Sequence, residues 1–235
     1  MGIFHFRTFD VDDHGCGMKI CSDSVLLAAW FLRDYPNAAS VLDVGTGSGV
    51  LALLAAQICQ EARITAVELD ADACRAAADN FSMSPYAPRL KAVQCDIADF
   101  KPDVPPEIII SNPPYFTNGE RSADKSRRTA RHQDGLTYST LLSLPLSATG
   151  HLGMVTPADC YDDIIFEAEM RHRRLRRLCR VSTAAGKAPT RLLWDFSPSD
   201  GDFIDDNLNL RDSDGLYSAE YRRLVEPYYQ KLPLR

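Results

Sequence analysis

The chain has 235 residues, 45% hydrophobic and 25% charged, enough for one large domain with a full core. A net charge of −6 excludes a uniformly basic nucleic-acid binder, and no apolar run approaches the ~18 residues needed to span a bilayer. The N-terminal MGIFHFRTFD lacks the charged lead and apolar core of a secretion signal, and seven scattered cysteines without a C-x-x-C pair predict reduced thiols in a cytoplasmic protein with no metal site.

Along the chain, Ser22–Leu32 reads as a helix capped by Ser22, with Asp23 and Ser24 in its first turn. Strands are expected at Ser40–Val44, Ile64–Glu68, Leu90–Cys95, Glu107–Ser111 and Leu152–Thr156. Between them, Val50–Gln60 and Ala71–Phe81 have helical periodicity and many alanines, and Thr137–Ala148 is a further helix. Pro157 suits the first turn of another helix running through Asp159–His172. This alternation predicts an α/β fold with a mostly parallel sheet and helices on both faces. Leu175–Ser182 and Arg191–Ser197, joined by the short Gly-Lys-x-Pro stretch 186–189, predict a hairpin, so at least one strand runs antiparallel. The expected organisation is a single domain: an N-terminal extension and helix (1–39), a catalytic core (40–200), then an acidic loop and C-terminal helix (201–235). Charge is segregated, with six arginines from Arg171 to Arg180 and seven aspartates from Asp195 to Asp214. A locally basic face on an acidic protein follows as an expectation.

The stretch VLDVGTGSGV (41–50) joins a buried strand to a helix through three glycines. Such a turn lets backbone come close to a ligand, and the following helix aims its N-terminal N–H groups there. Glu68 ends the next strand, where a carboxylate can accept from both hydroxyls of a ribose. Asp96, in CDI (95–97), ends the third strand, placed for an adenine amino group. Three strand ends would line one crevice at the carboxyl edge of the sheet.

DVGTGSG, Glu68, CDI and NPPY, in this order and spacing, resemble the S-adenosylmethionine-dependent methyltransferases of the Rossmann-like, seven-stranded class. The resemblance implies that Gly45, Thr46, Gly47 and Gly49 surround the amino-acid end of S-adenosyl-L-methionine, that Asp43 anchors this loop, that Glu68 holds the ribose, and that Asp96 and Ile97 bracket the adenine. Lys19, Asp23 and Asn112 are expected to join that cofactor site.

SNPPY (111–115) follows the apolar run 107–110. Two prolines end a strand and stiffen the next turn. An exocyclic or amide nitrogen is a poor nucleophile because its lone pair is delocalised. The Asn112 side-chain oxygen and the Pro113 carbonyl can grip its two N–H bonds, Pro114 keeps both acceptors fixed, and Tyr115 offers a face for stacking. The motif by itself leaves adenine, guanine and glutamine open as targets.

The segments 15–31 and 217–229 resemble the bacterial tRNA(Val) adenine-N6 methyltransferases. Met18, Lys19, Asp23, Leu26, Leu27, Ala29 and Trp30 match that family's first motif, while Cys21 stands in place of a glycine and Ser22 of a threonine. The resemblance implies a tRNA substrate methylated on the adenine 3′ of the anticodon. The polar, basic segment 116–136 reads as a lid, and Phe116, Arg121, Lys125, Arg127, Arg128, Arg131 and His132 are expected to contact RNA, with Arg173, Arg174, Lys187 and Arg191. Rival readings are a protein glutamine methyltransferase, which normally carries a longer N-terminal helical domain, a ribosomal RNA base methyltransferase, and a non-catalytic cofactor-binding subunit.

Overall fold

The computed structural model describes residues 2–14, 20–114 and 136–231. A small antiparallel hairpin, β1 (Ile3–His5) with β2 (Asp10–Asp12), precedes helix α1 (Ser22–Phe31). The core then alternates: β3 (Ser40–Val44), α2 (Val50–Ile58), β4 (Arg63–Glu68), α3 (Ala71–Met83), β5 (Leu90–Gln94) and β6 (Ile108–Ser111). Next come α4 (Tyr138–Ser143), β7 (His151–Pro157), α5 (Tyr161–Met170), β8 (Arg174–Ser182), β9 (Pro189–Ser197), β10 (Ile204–Asn209) and α6 (Ala219–Val225).

One sheet of eight strands runs in the order β10-β8-β9-β7-β6-β3-β4-β5. All its pairings are parallel except the two made by β9, which runs against both β7 and β8. The parallel sheet with one reversed strand is as expected. Among the described residues the count is eight rather than seven, because β10 lies inside the stretch expected to be an acidic loop. Buried side chains of α1, α2, α3 and α6 form one core with the sheet, and those of α4 and α5 form a second on its other face. Strands between two such layers must be apolar on both sides, which is why Ile108–Ile110 is a continuous run.

Two local readings change. Ser22 is the first residue of α1, not its cap: Cys21 takes the N-cap position, and no side chain caps the helix. Pro157 closes β7, and a 3-10 turn at Ala158–Cys160 leads into α5.

The expected basic face does not form from the arginine run, because the aspartate run partners it. Arg174 pairs with Asp200 at 2.9 Å, Arg177 with Asp195 at 2.9 Å and with Asp34, and Arg180 with Asp205. Arg176 donates to the carbonyls of Ser199 and Asp202. Arg171 pairs with Glu167 within α5 at 2.5 Å.

Candidate active site

β3 and β6 are neighbours in the sheet although two βα units separate them in sequence. The chain leaves β3 toward β4 and β5, then returns to the other side of β3 as β6. Open sheets leave a crevice at such a switch point, outside the carboxyl ends of the strands. The glycine turn leaves β3 there, and Asn112-Pro113-Pro114 leaves β6 beside it. Asp43 pairs in register with Ile110, and the Ser111 hydroxyl donates to the Val44 carbonyl at 2.8 Å. The two turns are therefore fixed to each other just before each begins.

The glycine turn is held to β4. Gly45 and Thr46 donate their backbone N–H groups to the Val67 carbonyl at 2.9 and 3.2 Å. Glu68 accepts from the Gly47 N–H at 2.9 Å with one oxygen and from the Asp70 N–H at 3.1 Å with the other. Its carboxylate is thus fixed in orientation while staying half-buried at the crevice. A Cβ added at Gly47 would meet no atom within 4 Å, so this residue faces open space. Gly49 differs. At φ +85°, an added Cβ would lie 2.5 Å from the Phe81 ring, so its glycine is required by the packing of the turn against α3.

Asp43 is fully buried at the end of β3. Its Oδ2 accepts from the Thr46 hydroxyl at 2.5 Å, and the carboxyl faces the Ala52 N–H in the first turn of α2. Oδ1 makes no hydrogen bond of regular geometry. Burial pushes the carboxyl up to about 7, against the pull of those two donors and with a small push from Glu68. The folded chain then holds a proton that the unfolded chain, at 3.8, has released. This group's contribution to stability is complete below about pH 4 and is lost as pH rises to about 7. Thermal unfolding of the ligand-free protein should therefore show Asp43→Asn gaining on wild type between about pH 4 and pH 7, with a constant difference above. A difference independent of pH would show that Asp43 is ionised throughout.

Beyond β5, Asp96 accepts from the Ala98 N–H at 2.9 Å and so shapes its own turn. Ile97 is buried in the cluster that holds Leu42, Val44 and Val67. The Cys95 N–H donates to the Glu68 carbonyl at 3.0 Å, which brings the β4 and β5 ends together. Glu68, Asp96 and Ile97 thus stand along the same edge as the glycine turn.

Asn112 is half-buried, and its Nδ2 donates to Ser24 Oγ at 3.0 Å and Cys21 Sγ at 3.2 Å, both at the start of α1. Pro113 is buried and Pro114 exposed. Asp23, one residue before Ser24, accepts from Arg191 Nε at 2.9 Å. Because β9 is antiparallel, its first residues lie at the carboxyl edge of the other strands, which brings Arg191 to the site. Lys187 lies exposed in the β8–β9 turn on that same edge.

Arg173 and Arg174 are not brought there. β8 starts at the opposite edge, where Arg174 pairs in register with Ser197. Nine residues of strand, roughly 30 Å at ~3.3 Å per residue, separate that end from the site edge. Arg173 moreover donates to the carbonyls of Leu142 and Leu144, closing the end of α4. Lys19, Tyr115, Phe116, Arg121, Lys125, Arg127, Arg128, Arg131 and His132 lie outside the described residues.

The sequence reading missed Ser24 and Cys21 at Asn112, and Asn80 on α3. Asn80 is buried, accepts from the Asp12 N–H and donates to the carbonyls of Asp12 and Ser48, at 2.9 Å each. It ties the N-terminal hairpin to the glycine turn. The available signal was a polar residue on an otherwise apolar helix face, which marks a buried partner without identifying it.

The residues present suit a cofactor with an adenosyl group. An open approach at Gly47, a carboxylate at Glu68 held by backbone donors, and a buried Asp43 oxygen without a regular partner all lie on one edge.

The family model described as "Methyltransferase small domain" matches residues 15–132. A tRNA1(Val) (adenine(37)-N6)-methyltransferase of Tolumonas auensis is 36% identical over 97% of both chains. One of Shewanella amazonensis is 39% identical over 97% of this chain and 99% of its own, and one of Porphyromonas gingivalis is 35% identical over 97% and 94%. Among solved structures, a predicted O-methyltransferase from Agrobacterium tumefaciens is similar with a TM-score of 0.65 at 16% identity, covering 87% of this chain and 96% of that one. A glycopeptide N-methyltransferase complexed with sinefungin is similar with a TM-score of 0.56 at 14% identity, covering 81% and 92%. At such identities these two likenesses concern the fold alone.

Proposed function

Because the chain belongs to the tRNA1(Val) (adenine(37)-N6)-methyltransferase family, we infer that it methylates the N6 amine of adenine 37 in tRNA1(Val), using S-adenosyl-L-methionine. The observation that carries the reading to particular residues is the pairing of the glycine turn with the Asn112 turn on adjacent strands.

S-adenosyl-L-methionine, when bound, supplies an electrophilic methyl group on a sulfonium. We assign its methionine end to the backbone of Gly45–Gly47, kept in shape by Asp43 and Thr46, its ribose to Glu68, and its adenine to Asp96 and Ile97. Lys19 is proposed to contribute from the segment before α1, and Asp23 from the first turn of α1. At the target, Asn112 Oδ1 and the Pro113 carbonyl accept the two N–H bonds of N6. That grip localises the nitrogen lone pair and aims it, and positioning of this kind is a large share of what an enzyme supplies to such a displacement. N6 would take the methyl group from the sulfonium while Asn112 Oδ1 and the Pro113 carbonyl hold its N–H bonds. The nitrogen turns acidic as it does so, and its proton leaves to water. Tyr115 is proposed to stack on the target base.

For RNA binding we propose the basic residues Arg121, Lys125, Arg127, Arg128, Arg131 and His132 with Phe116, joined by Lys187 at the site edge. Phosphate contacts of this type give affinity, and base contacts give sequence choice. Arg191 is assigned to Asp23 instead of to phosphate. The whole chain is taken as one catalytic domain acting in the cytoplasm. Among the described residues no helix is long and apolar enough to cross a membrane.

The deciding experiment incubates the protein with tritiated S-adenosyl-L-methionine and tRNA from cells lacking this modification. Label recovered as N6-methyladenosine, and absent from a tRNA1(Val) transcript with guanine at position 37, is the expected result. Label on a protein glutamine, with none in RNA, would transfer the motif to an amide substrate.

A further inference from the structure

We propose that Ser24, assisted by Cys21, is a positioning residue that holds the Asn112 side chain in place for the target amine. The proposal rests on the assignment of Asn112 Oδ1 as an acceptor for the target amine. A primary amide has two donors at one end and an acceptor at the other, and rotating it by half a turn exchanges them. In the needed orientation Oδ1 meets the amine. In the other, Nδ2 would turn its donors toward the amine's own N–H groups.

Asn112 Nδ2 donates to Ser24 Oγ at 3.0 Å and to Cys21 Sγ at 3.2 Å, so both N–H bonds are directed at α1. No described residue hydrogen-bonds Oδ1. The Ser24 hydroxyl can donate as well as accept, so what it fixes is the place of the amide, and the target amine, which needs an acceptor, selects the face.

The two side chains also meet across the first turn of α1, with Cys21 Sγ 3.9 Å from Ser24 Oγ. The helix has no side-chain cap at Cys21, and Ser24 is the one polar residue in a buried run that continues through Phe31. At 5% exposure, that hydroxyl needs a partner, and Asn112 is the nearer of two, at 3.0 Å against 3.9 Å for Cys21 Sγ. Both acceptors are held still. The Arg191–Asp23 pair fastens the first turn of α1 from β9, and the rest of the helix is buried against α2, α6 and the sheet.

The test compares Ser24→Ala, Ser24→Thr, Asn112→Ala and the double Ser24→Ala/Asn112→Ala. It measures kcat and KM for tRNA, and cofactor Kd by calorimetry. Ser24→Ala should lower kcat about tenfold or more, with KM and Kd within about twofold, since only transition-state contacts are loosened. Ser24→Thr should recover most of the loss by restoring the hydroxyl. In the Asn112→Ala background, Ser24→Ala should cost nothing further.

An equal loss in that background would show that Ser24 acts on something other than Asn112, and would overturn the proposal. So would a loss confined to cofactor affinity. Full turnover by Ser24→Ala, beside the expected loss in Asn112→Ala, removes only the positioning role. Full turnover by Asn112→Ala removes the assignment of Asn112 itself, and this proposal with it. Should Ser24→Ala fail to fold, Cys21→Ala reports on the same amide, with a smaller expected loss because sulfur is the weaker acceptor.

Discussion

Asn112→Ala is expected to bind S-adenosyl-L-methionine about as tightly as wild type while losing turnover by about 10²–10³-fold, the range seen when one preorganised polar contact to a transition state is deleted. The separation follows from the geometry. The cofactor contacts assigned above lie on the glycine turn, Glu68 and the end of β5, and each is held by bonds that do not pass through Asn112. What Asn112 contributes is an oxygen for the amine, on a turn whose preceding residue is anchored to Val44. Pro113 and Pro114 stay, so the backbone carbonyl remains as a second acceptor, and the loss stops short of abolition. Single-turnover kinetics at saturating cofactor would check this directly. An equal loss in cofactor affinity would move Asn112 from the target amine to the cofactor, and a loss in KM alone would make it a contact that substrate and transition state share.

The parts of this site that sequence made legible are those imposed by the backbone. A glycine turn, two prolines after a strand and an acid at a strand end recur because the main chain must take particular paths around a ligand. Gly49 is instructive, since the same motif position is explained here by the Phe81 ring. Contacts between side chains distant in sequence left no such trace. Asn112 and Ser24 are 88 residues apart, and Asp23 and Arg191 are 168 apart. Nothing in the periodicity of either segment announces the meeting.

The sheet was legible in its interior, where burial on both faces forces apolar runs in β3, β6 and β7, and at the β5 edge, whose partly buried LKAVQ keeps a strand composition. It was not legible at the β10 edge. β10 carries Asp205 and Asp206, pairs with β8 alone among the described residues, and is exposed along most of its length, so its composition is that of a polar loop. Charge on an edge strand also discourages pairing with other chains. The same limitation produced the misplaced basic face. An arginine run has one composition whether it faces water or a second run of aspartates, and only the register of β8 with β9 and β10 decides between them.

Asp195 shows how much of this pairing is structural. It lies on β9 with no exposed surface, and accepts from Tyr35 Oη at 2.7 Å, His151 Nδ1 at 2.7 Å and Arg177 Nε at 2.9 Å. The Arg177 guanidinium also lies 4.4 Å from the centre of the Trp30 ring and donates to the Phe31 carbonyl at 3.3 Å. Burial together with the Asp195 charge holds the Tyr35 hydroxyl well above its ordinary range, so it stays a donor. All of this sits toward the amino edge of the sheet, away from Asn112. Asp195→Ala would leave Arg177 buried with only the half-exposed Asp34 as counter-charge, and strip an acceptor from Tyr35 and His151. Removing one partner of a buried pair costs about 3 kcal/mol or more. For a chain of this size that is a fall in Tm of roughly 10 °C, at about 2–4 °C per kcal/mol. Turnover per folded molecule well below the transition should stay at the wild-type level. The double variant Asp195→Ala/Arg177→Met should regain part of the loss, because the uncompensated charge goes with the arginine. If Asp195→Ala unfolds within a degree or two of wild type, or the double variant falls by the sum of its parts, the carboxylate is not what keeps Arg177 buried, and the Trp30 ring and Asp34 must carry it.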